Sequence, residues 1–186
     1  MLELGRLLAQ AKPTRAIELV AYTLEEPPHF ETPHMGSAWH AASHDPKTHP
    51  IEMMISLEMI GYFSDAPNSQ DYPVPGMEKF YSSTGNFIGV VGRLQDWRLT
   101  RQVKAHMLGA SSLPVHSINT VTLVEGVDWS DQLNYWNKGI HAVMITDTAH
   151  NRNRQYHLAG DSWDRLDYKR IAQVVQGVYA FAMRKE

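Results

Sequence analysis

Cysteine is absent from the 186 residues, which excludes thiolate nucleophiles, all-cysteine zinc sites and iron–sulfur clusters and leaves histidine and carboxylates as metal ligands. No apolar run approaches the roughly 20 residues needed to span a bilayer, and the first residues lack the basic and continuous apolar regions of a secretory signal. The chain therefore reads as soluble, with no membrane partner, although neither absence fixes a compartment. An excess of positive charge is missing too: 17 basic residues face 20 acidic ones, a net charge of −3. Such a surface offers no broad cationic face to a phosphate backbone, so nucleic acid is not an expected partner. Internal repeats and low-complexity tracts are also absent.

What is present is the balance of a globular protein, 43% hydrophobic and 20% charged, in a length that suits one domain with its own core. Leu4, Leu7, Leu8 and Ala11 recur at helical spacing and predict a helix ending before Pro13. Ala16 to Tyr22 is rich in β-formers and predicts a strand, stopped by Pro27 and Pro28. Gly36 to His44 suits a short helix, and Glu52 to Tyr62 reads as a buried strand interrupted by Glu58. After a Pro- and Ser-rich loop from Asp65 to Tyr81, strands are expected at Asn86 to Val91, Val115 to Val124 and Ala142 to Thr146. Helices are expected at Trp97 to Leu108 and at Ser130 to Asn137, the second closed by Gly139. The last helix is the clearest, with Tyr168, Ile171, Ala172, Val175, Val178, Tyr179 and Ala182 on one face and Asp164 or Asp167 as its cap. This alternation predicts a three-layer α/β/α domain over residues 1–186 with a mixed, largely parallel central sheet and ligands at the carboxyl ends of its strands.

Three places could carry chemistry. Glu58 stands inside MMISLEMIGYF, where a carboxylate must be paired, protonated or metal-bound, or else reach solvent at the strand's end. Glu25 and Glu26 follow a predicted strand end, and neighbouring residues of an extended chain point to opposite sides. One carboxylate could then hold a metal while the other acts on a water as general base, unless the pair is only a solvated loop. His157, in YHLAGDS, is a candidate metal ligand with Asp161 as the acidic neighbour that would orient it. His40 and His44 have the i, i+4 spacing of a zinc-binding helix, but the Glu of an HExxH motif is missing, so they read as surface residues. His29, His34 and His49 give no ligand spacing.

Taken in order, TLEEPPHFETPHMGS, MMISLEMIGYFSD, the loop with SQDYPVP, GNFIGVVG and MITDTAHNRNRQYHLAGDSWDRLDY resemble the zinc-dependent aminopeptidases that also include glutaminyl cyclases and glutamate carboxypeptidase-like proteins. The resemblance implies metal-assisted hydrolysis of a peptide with a free N-terminus. It makes Glu25 the general base, Glu26 and His157 ligands of one zinc, and Glu58 a ligand of a neighbouring zinc. Tyr156, Asp161, Asp131 and Gln132 fall at its supporting or substrate positions, with Gln132 standing where relatives commonly have His. The His-x-Asp and Asp-Asn segments that supply two further ligands in the family come before the position of the first helix, so the chain is expected to lack the N-terminal part of the domain. An incomplete sheet of that kind is expected to dimerise or to borrow an element from another chain. A non-catalytic scaffold of the same fold and a glutaminyl cyclase-like acyltransferase are the alternatives.

Overall fold

The computed structural model describes residues 1–185. Its sheet has four strands, β1 (Met53–Glu58), β2 (Ile88–Arg93), β3 (Val115–Thr120) and β4 (His141–Thr146), in the order β1-β4-β2-β3. The β1–β4 and β2–β3 ladders are parallel and the β2–β4 ladder is antiparallel, which gives the expected mixed, largely parallel sheet.

The period-2 alternation of these strands sorts side chains onto two faces. Ile88, Val90, Val143 and Ile145 enter one cluster with Leu4 of α1 (Leu2–Gln10), Leu99, Val103 and Met107 of α3 (Trp97–Ala110), and Val174, Val178 and Phe181 of α5 (Tyr168–Ala182). Across the sheet, Met54, Val91 and Ala142 pack with Ala41 of α2 (Gly36–Ser43) and with Tyr135 and Trp136 of α4 (Gln132–Asn137). Helices therefore cover both faces, and the architecture is α/β/α. Gly177 lets α5 pass close to α3, since a Cβ there would lie 2.8 Å from Met107 Cγ and 3.1 Å from its Cα. Gly139, with φ +76°, supplies the left-handed residue just past α4. Asp167 caps α5, its Oδ1 accepting from Arg170 N at 3.0 Å.

Three expectations need correction, the first being the strand expected over Val115 to Val124, which ends at Thr120 where Val121 O accepts from Val124 N in a turn. Residues 16–22 are extended but join no ladder among the described residues. β-formers record a side-chain fit to a pleated surface, and a strand also needs a neighbour to pair its N–H and C=O groups. The strand predicted to continue to Tyr62 stops at Glu58, because Met59 turns the chain with φ +48°. That stop places Glu58 at the carboxyl end of β1, in register with Thr146 at the end of parallel β4. No helix among the described residues is long and apolar enough to cross a membrane.

Candidate active site

Glu58 and Asp147 leave the sheet together at the carboxyl ends of β1 and β4, where open α/β sheets bind ligands. The Glu58 carboxylate accepts from Ser130 Oγ at 2.9 Å, and Ser130 Oγ is 2.9 Å from Ser56 Oγ. Burial pushes the Glu58 carboxyl up, Ser130 opposes that shift, and the charges of Asp131, Glu26 and Asp147 add to it. Glu25 is half-buried and pushed up to about 7 by burial and then by Glu58, Glu26 and Asp131. Glu26 Oε1 lies 3.5 Å from His157 Nε2. The His157 ring stacks on Tyr156 at 3.9 Å and 17°. Burial, followed by the charges of Glu26, Glu58, Glu25 and Asp161, pushes the Tyr156 phenol up to about 12. Thus Glu25, Glu26, Glu58, Tyr156 and His157 share one electrostatic neighbourhood.

Backbone strain gathers at the same place. Leu24 before Glu25, Met59 after Glu58, Thr148 and Ala149 after Asp147, and His157 itself all have positive φ. For non-glycine residues each such conformation costs of the order of 1–3 kcal/mol and persists only where its surroundings enforce it.

Asp161 and Gln132 do not take the places expected of them. Asp161 accepts from Asn153 Nδ2 at 2.7 Å rather than from His157, because the tight turn from 157 to 161 directs its carboxylate back toward residue 153. Gln132 is fully buried in the first turn of α4, donating to Val127 O at 3.0 Å, so its amide belongs to the protein interior. Asp131 is partly buried, and burial raises its carboxyl.

Sequence reasoning passed over Ser56, Ser130 and Asp147. Asp147 accepts from the backbone N–H of Gly61 at 2.9 Å, Tyr62 at 2.7 Å and Ala149 at 3.0 Å, which fixes the chain leaving β1. Burial still pushes its carboxyl up to about 6. Its position one residue past β4 was the available signal. Beside the cluster opens an apolar cleft of about 120 Å³, lined by Glu58 and Tyr156 and by Tyr81, Phe87, His116 and Trp129 among others.

The model of Peptidase family M28 matches residues 1–182. The chain belongs to that family. A curated relative, the uncharacterized protein YfbL of Escherichia coli strain K12, is 54% identical over 178 residues, which are 96% of this chain and 54% of YfbL. The chain thus spans about half the length of the curated relative it matches. Among solved structures, the LapA aminopeptidase of Legionella pneumophila superposes with a TM-score of 0.58 at 17% identity, over 81% of this chain and 37% of LapA. BSAP, a zinc aminopeptidase from Bacillus subtilis, gives 0.52 at 14% identity, over 78% of this chain and 31% of BSAP. At these identities the likeness is one of fold.

Glu26, Glu58, Asp131 and His157 are donors of the types that a zinc-class cation takes. Asp131 Oδ1 is buried without a hydrogen-bond partner. Among the described residues no Lys or Arg lies within ion-pair distance of Glu25, Glu26, Glu58 or Asp131. Acidic charge this concentrated and uncompensated is the environment that carboxylate and imidazole ligands provide for zinc. Glu26 and His157 lie together, and Glu58 stands apart from that pair rather than closing on it.

Proposed function

We propose that the protein is a zinc-dependent peptidase that removes residues from the N-terminus of peptides. The observation that carries this reading is the raised Glu25 carboxyl beside the Glu26–His157 pair and Glu58, in a chain of the M28 family. Glu26 and His157 would hold one zinc, and Glu58 would contribute to a second. Zinc, when bound, supplies Lewis acidity toward a carbonyl oxygen and toward water. Glu25 takes a proton from the attacking water and returns it to the leaving amine, a role suited to a carboxylate whose affinity for protons is matched to neutral pH. The substrate's N-terminal ammonium is drawn to the acidic ring of Glu25, Glu26, Glu58 and Asp131. Its side chain enters the apolar cleft bounded by Tyr81, Phe87 and Trp129.

A panel of aminoacyl p-nitroanilides and their N-acetylated counterparts tests this. Turnover is expected only with a free amine, lost to a chelator and restored by zinc. Equal turnover of acetylated substrates would contradict the aminopeptidase assignment, and release of ammonia from a glutaminyl peptide without hydrolysis would point to the acyltransferase instead.

A further inference from the structure

A second histidine cluster lies outside the residues discussed so far. His40 lies in α2 and His44 is the extended residue that ends it, with the two rings 4.6 Å apart between centroids. The sequence reading placed them on the surface, yet their side chains are only 20% and 22% exposed, and both turn toward Glu18 of the unpaired 16–22 segment. His40 Nε2 lies 3.2 Å from Glu18 Oε1 and 3.1 Å from His44 Nε2, and His44 Nε2 lies 3.8 Å from Glu18 Oε2. Among the described residues this trio is the group of His, Asp and Glu whose ligand atoms all lie within 4.8 Å of one another.

One ligand atom from each of the three residues falls within 4.8 Å of the others, close to what a single ion needs. A tetrahedral zinc with bonds of about 2.0–2.1 Å sets its ligand atoms roughly 3.3 Å apart. The other nitrogen of His40 is also prepared for this role. Its Nδ1 lies 2.5 Å from the Tyr135 hydroxyl and 2.9 Å from the Tyr22 hydroxyl, and Tyr135 is anchored in the core at 2% exposure. The phenol oxygens give an Nδ1–H tautomer acceptors for its proton, and in that tautomer Nε2 has its lone pair available for a cation. Glu18 is 61% exposed and closes the site from the solvent side, leaving a fourth position for water.

We propose that Glu18, His40 and His44 form a binding site for a divalent ion of the zinc class, which ties the 16–22 segment to α2. The site shares no residue with the Glu25–Glu26–Glu58–His157 cluster and does not depend on the peptidase reading. Its preference follows from two imidazoles and one carboxylate, a set that suits Zn²⁺ or Co²⁺ and is a poor match for Mg²⁺ or Ca²⁺.

The test uses Co²⁺ and Zn²⁺ with the untagged protein carrying Glu26→Ala and His157→Ala, which removes the paired donors of the first cluster. About one ion per chain is expected to remain, with Co²⁺ showing the visible absorption of four-coordination. Adding either His44→Gln or Glu18→Gln should weaken that binding by more than about tenfold, a lower bound set by what loss of outer hydrogen-bond partners alone does to metal sites. Glu18 is exposed, so its isosteric change leaves the fold intact, and circular dichroism verifies this for both variants. Zinc should raise the Tm of the Glu26→Ala/His157→Ala protein and leave that of the further variants unchanged. Absence of bound ion in the starting protein, or binding that survives either added substitution, overturns the proposal.

Discussion

Glu25→Gln is expected to lower kcat of the peptidase by about 10²- to 10⁴-fold, the range that a positioned general base contributes. The amide keeps the size of the side chain and cannot take a proton, so the change removes chemistry and little else. KM should stay within a few-fold of its original value. Zinc content should also be preserved, because Glu25 is not assigned as a ligand. Burial and the charges of Glu58, Glu26 and Asp131 push the Glu25 carboxyl up to about 7 in the metal-free chain, and a bound cation would draw it back down. Single-turnover kinetics on a free-amine substrate measure the loss directly. A decrease below tenfold would mean that another group moves the proton.

Arg152→Met should destabilise the protein by about 3–5 kcal/mol, the range found when one partner is removed from a buried charged network. Arg152 is 3% exposed. Its Nε donates to Gln70 Oε1 at 2.8 Å, and its Nη1 donates to Phe87 O at 2.9 Å and Tyr62 O at 3.2 Å. The guanidinium also lies over the Phe87 ring, 4.6 Å from its centroid. Burial pulls its pKa down to about 10, which leaves it charged at neutral pH. In that state it offsets the Asp147 carboxylate, which in turn accepts from the N–H groups of Gly61 and Tyr62 just past Glu58. Methionine fills the volume, takes the guanidinium donors from the carbonyls of Phe87 and Tyr62, leaves Gln70 Oε1 only its bond from Thr148 Oγ1, and withdraws that charge. Arg152→Lys should recover only part of the loss, because an ammonium cannot reproduce a planar fork of donors. Urea unfolding at pH 7 measures both variants, and a change under about 1 kcal/mol for Met would remove Arg152 from the account of how the site is held.

How much of this was legible in the sequence depended on the range of the interactions. The last helix was visible because its apolar positions repeat within four residues and its cap, Asp167, reaches only to Arg170. Glu58 could be singled out as a carboxylate in an apolar run, Glu25 and Glu26 as an acidic pair before Pro27, and His157 as an imidazole with an acidic neighbour, all from adjacent residues. The groups that fix Glu58 and its strand could not be read that way. Ser130 meets Glu58 across 72 residues, Ser56 meets Ser130 across 74, and Asp147 meets Gly61 across 86. These contacts arise from the parallel pairing of β1 with β4 and from the approach of α4 and the residues before it to both strands, which no local pattern encodes. The 16–22 segment shows the same limit from the other side, since its composition is that of a strand and its partner is a matter of tertiary structure. His40 and His44 were visible as a spacing, whereas Glu18, 22 residues before His40, became a neighbour only on folding.

The measurement that tests the central claim most directly is zinc per chain by elemental mass spectrometry, on chelator-free protein carrying His40→Ala and His44→Ala so that the second cluster contributes nothing. At least about one zinc should be retained, as a site built on Glu26 and His157 requires, and either Glu26→Ala or His157→Ala should release it. Zinc content that is negligible in the starting protein, or unchanged by those two substitutions, would contradict the assignment of Glu26 and His157 as the ligands of a peptidase metal centre.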